Sequence, residues 1–196
     1  MTQLLQTPSQ TVGPFFAYGL TPTQYGYDLK SLFTPVMAQP HAKGEHIRIT
    51  GQVIDGAGQP VSDAIVEISQ PDASGQPVTS VADAAATGFT GFGRCRTGTF
   101  AQNQFVFETV KPGIPAAGQA PFINVCVTMR GLLVHTFTRI YFDDEAAANA
   151  QDAVLVSVPA ERRATLSAKR QVLAGGVADR FDIRMQGDAE TVFFDL

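Results

Sequence analysis

The chain predicts a mainly β protein: a two-sheet β-sandwich with short helices and long loops. Three observations predict it. Residues His46 to Ile54, HIRITGQVI, alternate apolar and polar side chains as a half-buried strand does. Four further segments of strand length follow, at Ala64–Ser69, Phe105–Val110, Phe122–Met129 and Leu132–Phe142, with turn-forming residues between them. Their number and spacing, with Gly and Pro turns between them, suit a β-sandwich. The 196 residues are 44% apolar, enough for one substantial core, so a single domain is expected.

The elements follow in chain order. Pro8, Gly13, Pro14, Gly19 and Pro22 disfavour regular structure over residues 1 to 23. Yet Val12, Phe15, Phe16, Tyr18 and Leu20 make that stretch too apolar for a solvated tail, so it should dock. Residues 24 to 45 read as irregular, with a short helical turn before Pro35. Residues 1 to 45 therefore form an N-terminal arm with loops, and residues 46 to 196 form the sandwich. The segment DGAGQP supplies a turn after the first strand, and Met129-Arg130-Gly131 reads as a hairpin turn. Asp143 to Gln151 suits a short helix. Ser157 to Glu161 looks like a second helix start, running to about Arg170. Residues 178 to 185 and 190 to 195 return to β alternation.

Composition narrows the function. The net charge is −4 and the basic residues are scattered, so neither nucleic acid nor an anionic membrane is expected as a partner. No apolar run approaches the roughly 20 residues of a membrane helix. MTQLLQTPSQT has neither a cationic start nor a signal-type apolar stretch, so the expected compartment is the cytoplasm. Cys95 and Cys126 make no disulfide framework, and Cys126, in an apolar run, is expected to be buried. Gly88 to Arg94 is glycine-rich but lacks the strand–helix setting and the Lys-Ser/Thr pair of a phosphate cradle.

No metal centre announces itself. The candidate donors are Tyr18, Tyr25, Tyr27 and Tyr141, with His41, His46 and His135. No two histidines are spaced as neighbouring ligands on a strand. His41 reads as a solvated loop residue, His46 as a strand-edge residue and His135 as a strand-face or interface residue. Taken alone, Arg130 is a solvated turn arginine, and Phe15 and Phe16 are packing residues.

Two segments carry a resemblance. GQVIDGAGQPVSDAIVEISQP at residues 51–71 and GFGRCRTGTFAQNQFVFETVKPG at 91–113 resemble the sandwich core of the intradiol ring-cleaving dioxygenases. TPSQTVGPFF, RIYFDDEAAANA and the C-terminal RFDIRMQGDAETVFFDL extend it over nearly the whole chain, from about Thr7 to Leu196. These are non-haem Fe(III) enzymes that split catechols between the two hydroxyls. The resemblance implies two tyrosinate and two histidine ligands, and here those positions are occupied otherwise. A Gly-x-Tyr end is matched by Asp72-Ala73-Ser74-Gly75-Gln76-Pro77. The Lys111-Pro112-Gly113 turn is intact but continues as Ile114-Pro115-Ala116, and a His-x-His strand is matched by Phe122-Ile123-Asn124.

The pattern is most similar to the metal-free α-type chains of heteromeric, protocatechuate-cleaving members. The resemblance then implies an iron-bearing β-type partner of the same fold, many α–β copies in one assembly, and an active site at the α–β interface. The substrates would be protocatechuate and dioxygen and the product 3-carboxy-cis,cis-muconate, within the β-ketoadipate route of aromatic catabolism. No catalytic residue and no metal ligand would lie in this chain. The matching pocket-wall residues are Thr11, Gly13, Pro14, Phe15 and Arg130. A guanidinium offers a permanently charged fork for the ring carboxylate. Gly13 allows close backbone approach, Pro14 stiffens it, and Phe15 can cover an aromatic face. Many members carry tyrosine at the Phe15 position, so a hydroxyl contact there would be lost. Two rival readings are a carrier or binding module of transthyretin-like architecture, and a self-sufficient enzyme with a relocated metal site.

Overall fold

The structure is a computed structural model, and it describes residues 7–195. The arm contributes a short helix α1 (Phe16–Leu20) and a 3₁₀ turn at Pro22–Tyr25. Strand β1 (His46–Ile54) has the predicted bounds, and β2 (Ile65–Ser69) follows. Helix α2 (Val81–Thr87) and strand β3 (Phe92–Arg96) were not expected from the sequence. Ser80 caps α2 by accepting from the Asp83 amide, and Gly88 ends it in the left-handed conformation. The glycines around Phe92 mask β3, whose buried residues alternate as Gly93 and Cys95. Strands β4 (Gln104–Val110), β5 (Phe122–Thr128) and β6 (Thr136–Phe142) complete the central set.

The C-terminal third departs most from expectation. Helices α3 (Ala146–Asn149) and α4 (Ala153–Ser157) are brief. No long helix runs from Ser157 to Arg170; a 3₁₀ turn at Arg163–Leu166 leads into strand β7 (Ser167–Leu173) instead. Helix-favouring residues lose there to tertiary pairing, because β7 closes a ladder with β8 (Gly176–Arg180). A short β9 (Ile183–Arg184) pairs with β1, whereas residues 190–195 form only an isolated bridge, Phe137 to Phe194. The predicted hairpin at Arg130 is an eight-residue connection, since the last β5–β6 pair is Val127 with Thr136.

The strands form two four-stranded leaves, β3-β2-β5-β6 and β7-β8-β1-β4. They are continuous through a parallel contact of two residue pairs, Tyr141 with Ser167 and Phe142 with Ala168. Period-2 alternation puts Ile47, Ile49 and Val53 of β1, Val66 and Ile68 of β2, Phe105 and Phe107 of β4, and Ile123, Val125 and Val127 of β5 between the leaves. Each such side chain contributes roughly 1.5–3 kcal/mol by burial. Met37, Ala38 and Ala42, which precede β1, belong to the same core. Cys126 is on the outer face of β5 and only half-buried, because alternation sends its neighbours Val125 and Val127 inward. Its thiol is pushed up to about 11, mainly by burial and secondarily by Glu67. Both cysteines are free.

One charge sits badly in this core. Asp179 on β8 faces Arg170 on β7, is 0% exposed, and neither carboxylate oxygen has a hydrogen-bond partner among the described residues. The nearest cation, Arg170 Nη1, is 3.9 Å away. Burial pushes this carboxyl up to about 6, against the pull of Arg170. The folded state thus holds the proton more tightly than the unfolded chain does. The resulting stability is full below the ordinary carboxylate pKa and is lost as pH rises through about 6. Asp179→Asn should therefore be more stable than the parent at pH 7.5 by about 1–3 kcal/mol, with little difference below pH 4. Urea melts at the two pH values check this; no gain at pH 7.5 would mean that Arg170 fully compensates the carboxylate.

Candidate functional site

Three segments meet at the C-terminal end of β5. The antiparallel register sets Ile65 of β2 opposite Thr128 of β5. Continued two residues beyond the strands, it sets Asp63 opposite Arg130. The side chains meet accordingly: Arg130 Nε donates to Asp63 Oδ2 at 2.5 Å. Next to it, the Gly131 amide donates to Thr11 Oγ1 at 2.9 Å, which pins the N-terminal arm to the Arg130 turn. Two segments singled out in the sequence, 119 positions apart at Thr11 and Arg130, are thereby brought together. The Arg130 side chain remains 55% exposed. A pair this open adds little stability, about 0–1 kcal/mol, so its consequence is orientation.

Phe15 stands at the head of α1 and is 75% exposed. It is held from beneath by stacked rings. Phe15 and Tyr18 have centroids 5.6 Å apart, and Tyr18 stacks on Tyr25 at 4.0 Å. The Arg96 guanidinium, at the end of β3, lies 3.7 Å from the Tyr25 ring centroid, a cation–π contact. Burial raises the Tyr25 phenol, while Arg96 opposes that rise. Arg96 Nη2 also donates to the Ser62 carbonyl, so Ser62 and Asp63 of the β1–β2 loop hold the two arginines. Gly13 and Pro14 form the exposed turn before α1, and the Phe16 amide donates to the Gly13 carbonyl. A methyl group at Gly13 would meet nothing within 4 Å among the described residues.

A separate cavity of about 520 Å³ opens at the other end of the β2–β5 pair. Its lining includes Gly75 and Pro77, Pro115, and Phe122 with Asn124. All three segments that replace the expected iron ligands therefore do converge on one place. The Asp72 carboxylate accepts from the Ser74 and Gln76 amides and fixes the turn before Pro77. Gly113 and Gly75 pack backbone to backbone, 2.5 Å from a hypothetical Gly113 Cβ to the Gly75 nitrogen. The cavity's polar side chains are amides and hydroxyls such as Gln70, Thr90 and Asn124. Ferric iron requires hard anionic oxygens with imidazole, so these residues do not fit it. Among the described residues, no group of three or more His, Cys, Asp or Glu side chains is arranged to hold a metal ion.

The remaining donor types are spoken for locally. His46 Nε2 lies 2.9 Å from the Ala42 carbonyl, and His41 packs its ring against Gly88. His135 is exposed and meets Phe137 edge to face. Tyr141 is fully buried and donates to Asp152, and burial pushes its phenol up to about 12.

The family model described as "Dioxygenase" matches residues 13–132. The Burkholderia cepacia protocatechuate 3,4-dioxygenase alpha chain is 66% identical over 100% of both chains. The chain belongs to the protocatechuate 3,4-dioxygenase alpha-chain family. The Pseudomonas putida alpha chain is 45% identical, over 98% of each chain. The Burkholderia cepacia beta chain shares 40% identity over 81 residues, 40% of this chain and 34% of that one. Among solved structures, the dioxygenase domain of a carbohydrate-binding fusion from Streptomyces sp. SirexAA-E superposes with a TM-score of 0.60 at 20% identity. It covers 95% of this chain and 100% of that one, and it shows a shared fold. The full-length match favours the subunit reading over a transthyretin-like carrier.

Sequence reasoning missed Asp63, Tyr18, Tyr25 and Arg96 as parts of this site. Asp63 lies within the family-like stretch 51–71, but nothing local assigns it to Arg130. Only the β2–β5 register does so.

Proposed function

We propose that this chain is the non-ligating alpha subunit of a protocatechuate 3,4-dioxygenase, forming one wall of a pocket whose Fe(III) is held by a beta-type partner. The pair cleaves protocatechuate with dioxygen to 3-carboxy-cis,cis-muconate, and both oxygen atoms enter the product. The partner's ferric centre supplies the oxygen chemistry. This chain binds and orients: Arg130 receives the ring carboxylate, Phe15 covers the ring face, and the Thr11–Pro14 arm closes the rim.

One observation carries the reading. Thr11 is tied to the turn that carries Arg130, at the opposite end of β5 from this chain's own cavity. Asn124 and Arg130 are separated by roughly 15–20 Å of extended chain. That distance keeps Arg130 from serving the cavity beneath Asn124, which supports its turning toward a partner's pocket. The exposed apolar side chains of the arm and of the loop after β5 suit a protein partner, since Phe15, Leu29, Leu32, Leu133 and Val134 are all more than half exposed. These two segments together would pack against the partner.

Iron analysis and turnover test this. This chain purified alone should carry no stoichiometric iron and no activity. Co-purified with its iron-bearing partner, it should give about one iron per pair, a ferric–tyrosinate colour and protocatechuate cleavage. Stoichiometric iron in the isolated chain would bring back the self-sufficient enzyme.

A further inference from the structure

We propose that Asp63 is a positioning residue that aims Arg130 at the substrate carboxylate. The inference rests on the reading of Arg130 as the carboxylate donor. Its own support is the geometry of the pair. A guanidinium has five N–H donors. Asp63 engages Nε, at the side of the fork, at 2.5 Å. Among the described residues, neither terminal nitrogen of Arg130 donates to the protein. The paired Nη face, which matches a carboxylate in bidentate fashion, is left open. Arginine carries substantial rotamer entropy, and an arginine on an exposed turn would lose it on binding. Asp63 removes part of that loss beforehand, because its side chain is only 21% exposed and sits in a fixed loop. Ser62, its neighbour, is tied to Arg96 and through it to the stacked rings under Phe15. The β1–β2 loop thus sets the arginine and the aromatic cover from one point.

The opposite effect is also physically conceivable: a second carboxylate beside Arg130 could compete with that of the substrate. The experiment separates the two. Asp63→Asn keeps the shape and removes the charge, and it is measured in the complete alpha–beta enzyme beside Arg130→Ala. The readouts are KM and kcat for protocatechuate and the inhibition constant of catechol, the same diol without the carboxylate. Positioning predicts that Asp63→Asn raises KM for protocatechuate roughly threefold to tenfold, through KM and not kcat. The ratio of that KM to the catechol constant should rise by the same factor, and Asp63→Glu should recover part of it. A fall in KM overturns the inference in favour of competition. An equal rise of KM and the catechol constant overturns it in favour of a general loss of pocket structure. If Arg130→Ala itself leaves KM unchanged, the substrate role of Arg130 fails, and the inference falls with it. If Arg130→Ala raises KM and Asp63→Asn does not, only the inference fails.

Discussion

Arg130→Ala in the assembled enzyme is expected to raise KM for protocatechuate by roughly 30-fold or more while the alpha–beta pair still forms. The size follows from the chemistry of the lost contact. Truncating one partner of a hydrogen-bonded, desolvated charge pair costs roughly 2–5 kcal/mol, much of it from the charge left behind. Each 1.4 kcal/mol is about a factor of ten. The chain itself should fold, because Arg130 is 55% exposed and, among the described residues, holds only Asp63, so its loss leaves no cavity. Assembly should persist because the apolar residues of the arm and the β5–β6 loop are untouched. Steady-state kinetics with size-exclusion chromatography check both halves. An unchanged KM would place the substrate carboxylate elsewhere, and loss of the pair would make Arg130 an interface residue.

Gly51→Ala should destabilise the fold by about 3 kcal/mol, a fall in Tm of roughly 6–12 °C. Gly51 opens the family-like stretch at residue 51 and lies inside β1. A methyl group there would stand 1.7 Å from the Phe181 carbonyl oxygen and 2.7 Å from the Phe105 ring. The obstacle is backbone: the Phe181 amide donates to the Thr50 carbonyl at 2.8 Å, which draws the two chains together. Phe181 could retreat only by breaking that bond and separating β8 from β1. By contrast, Gly13→Ala meets no atom among the described residues and should leave the melting of this chain alone within about 0.5 kcal/mol. Calorimetry on the two variants separates a glycine demanded by packing from one demanded, if at all, by a partner. A Gly51→Ala protein that melts like the parent would show that β1 can shift outward.

The sequence by itself determined the sandwich class and the inward faces of β1, β2, β4 and β5, because alternation with period 2 is a local property of those strands. It also determined that the iron-ligand positions hold Pro77, Ile114-Pro115-Ala116 and Phe122-Ile123-Asn124, since that is a matter of residue identity. Tertiary structure decided the rest. Strand β7 sits where local propensity favours helix, because its partner β8 and the β6 junction supply the ladder. Strand β3 is hidden by glycines that only neighbouring strands make extended. The site follows the same division. Arg130 and Thr11 could be named from motifs, but their meeting required the arm to fold back onto the turn after β5. Asp63 could not be named at all, because it becomes the neighbour of Arg130 only through the register of two strands about sixty residues apart in the chain, and no local pattern encodes a register.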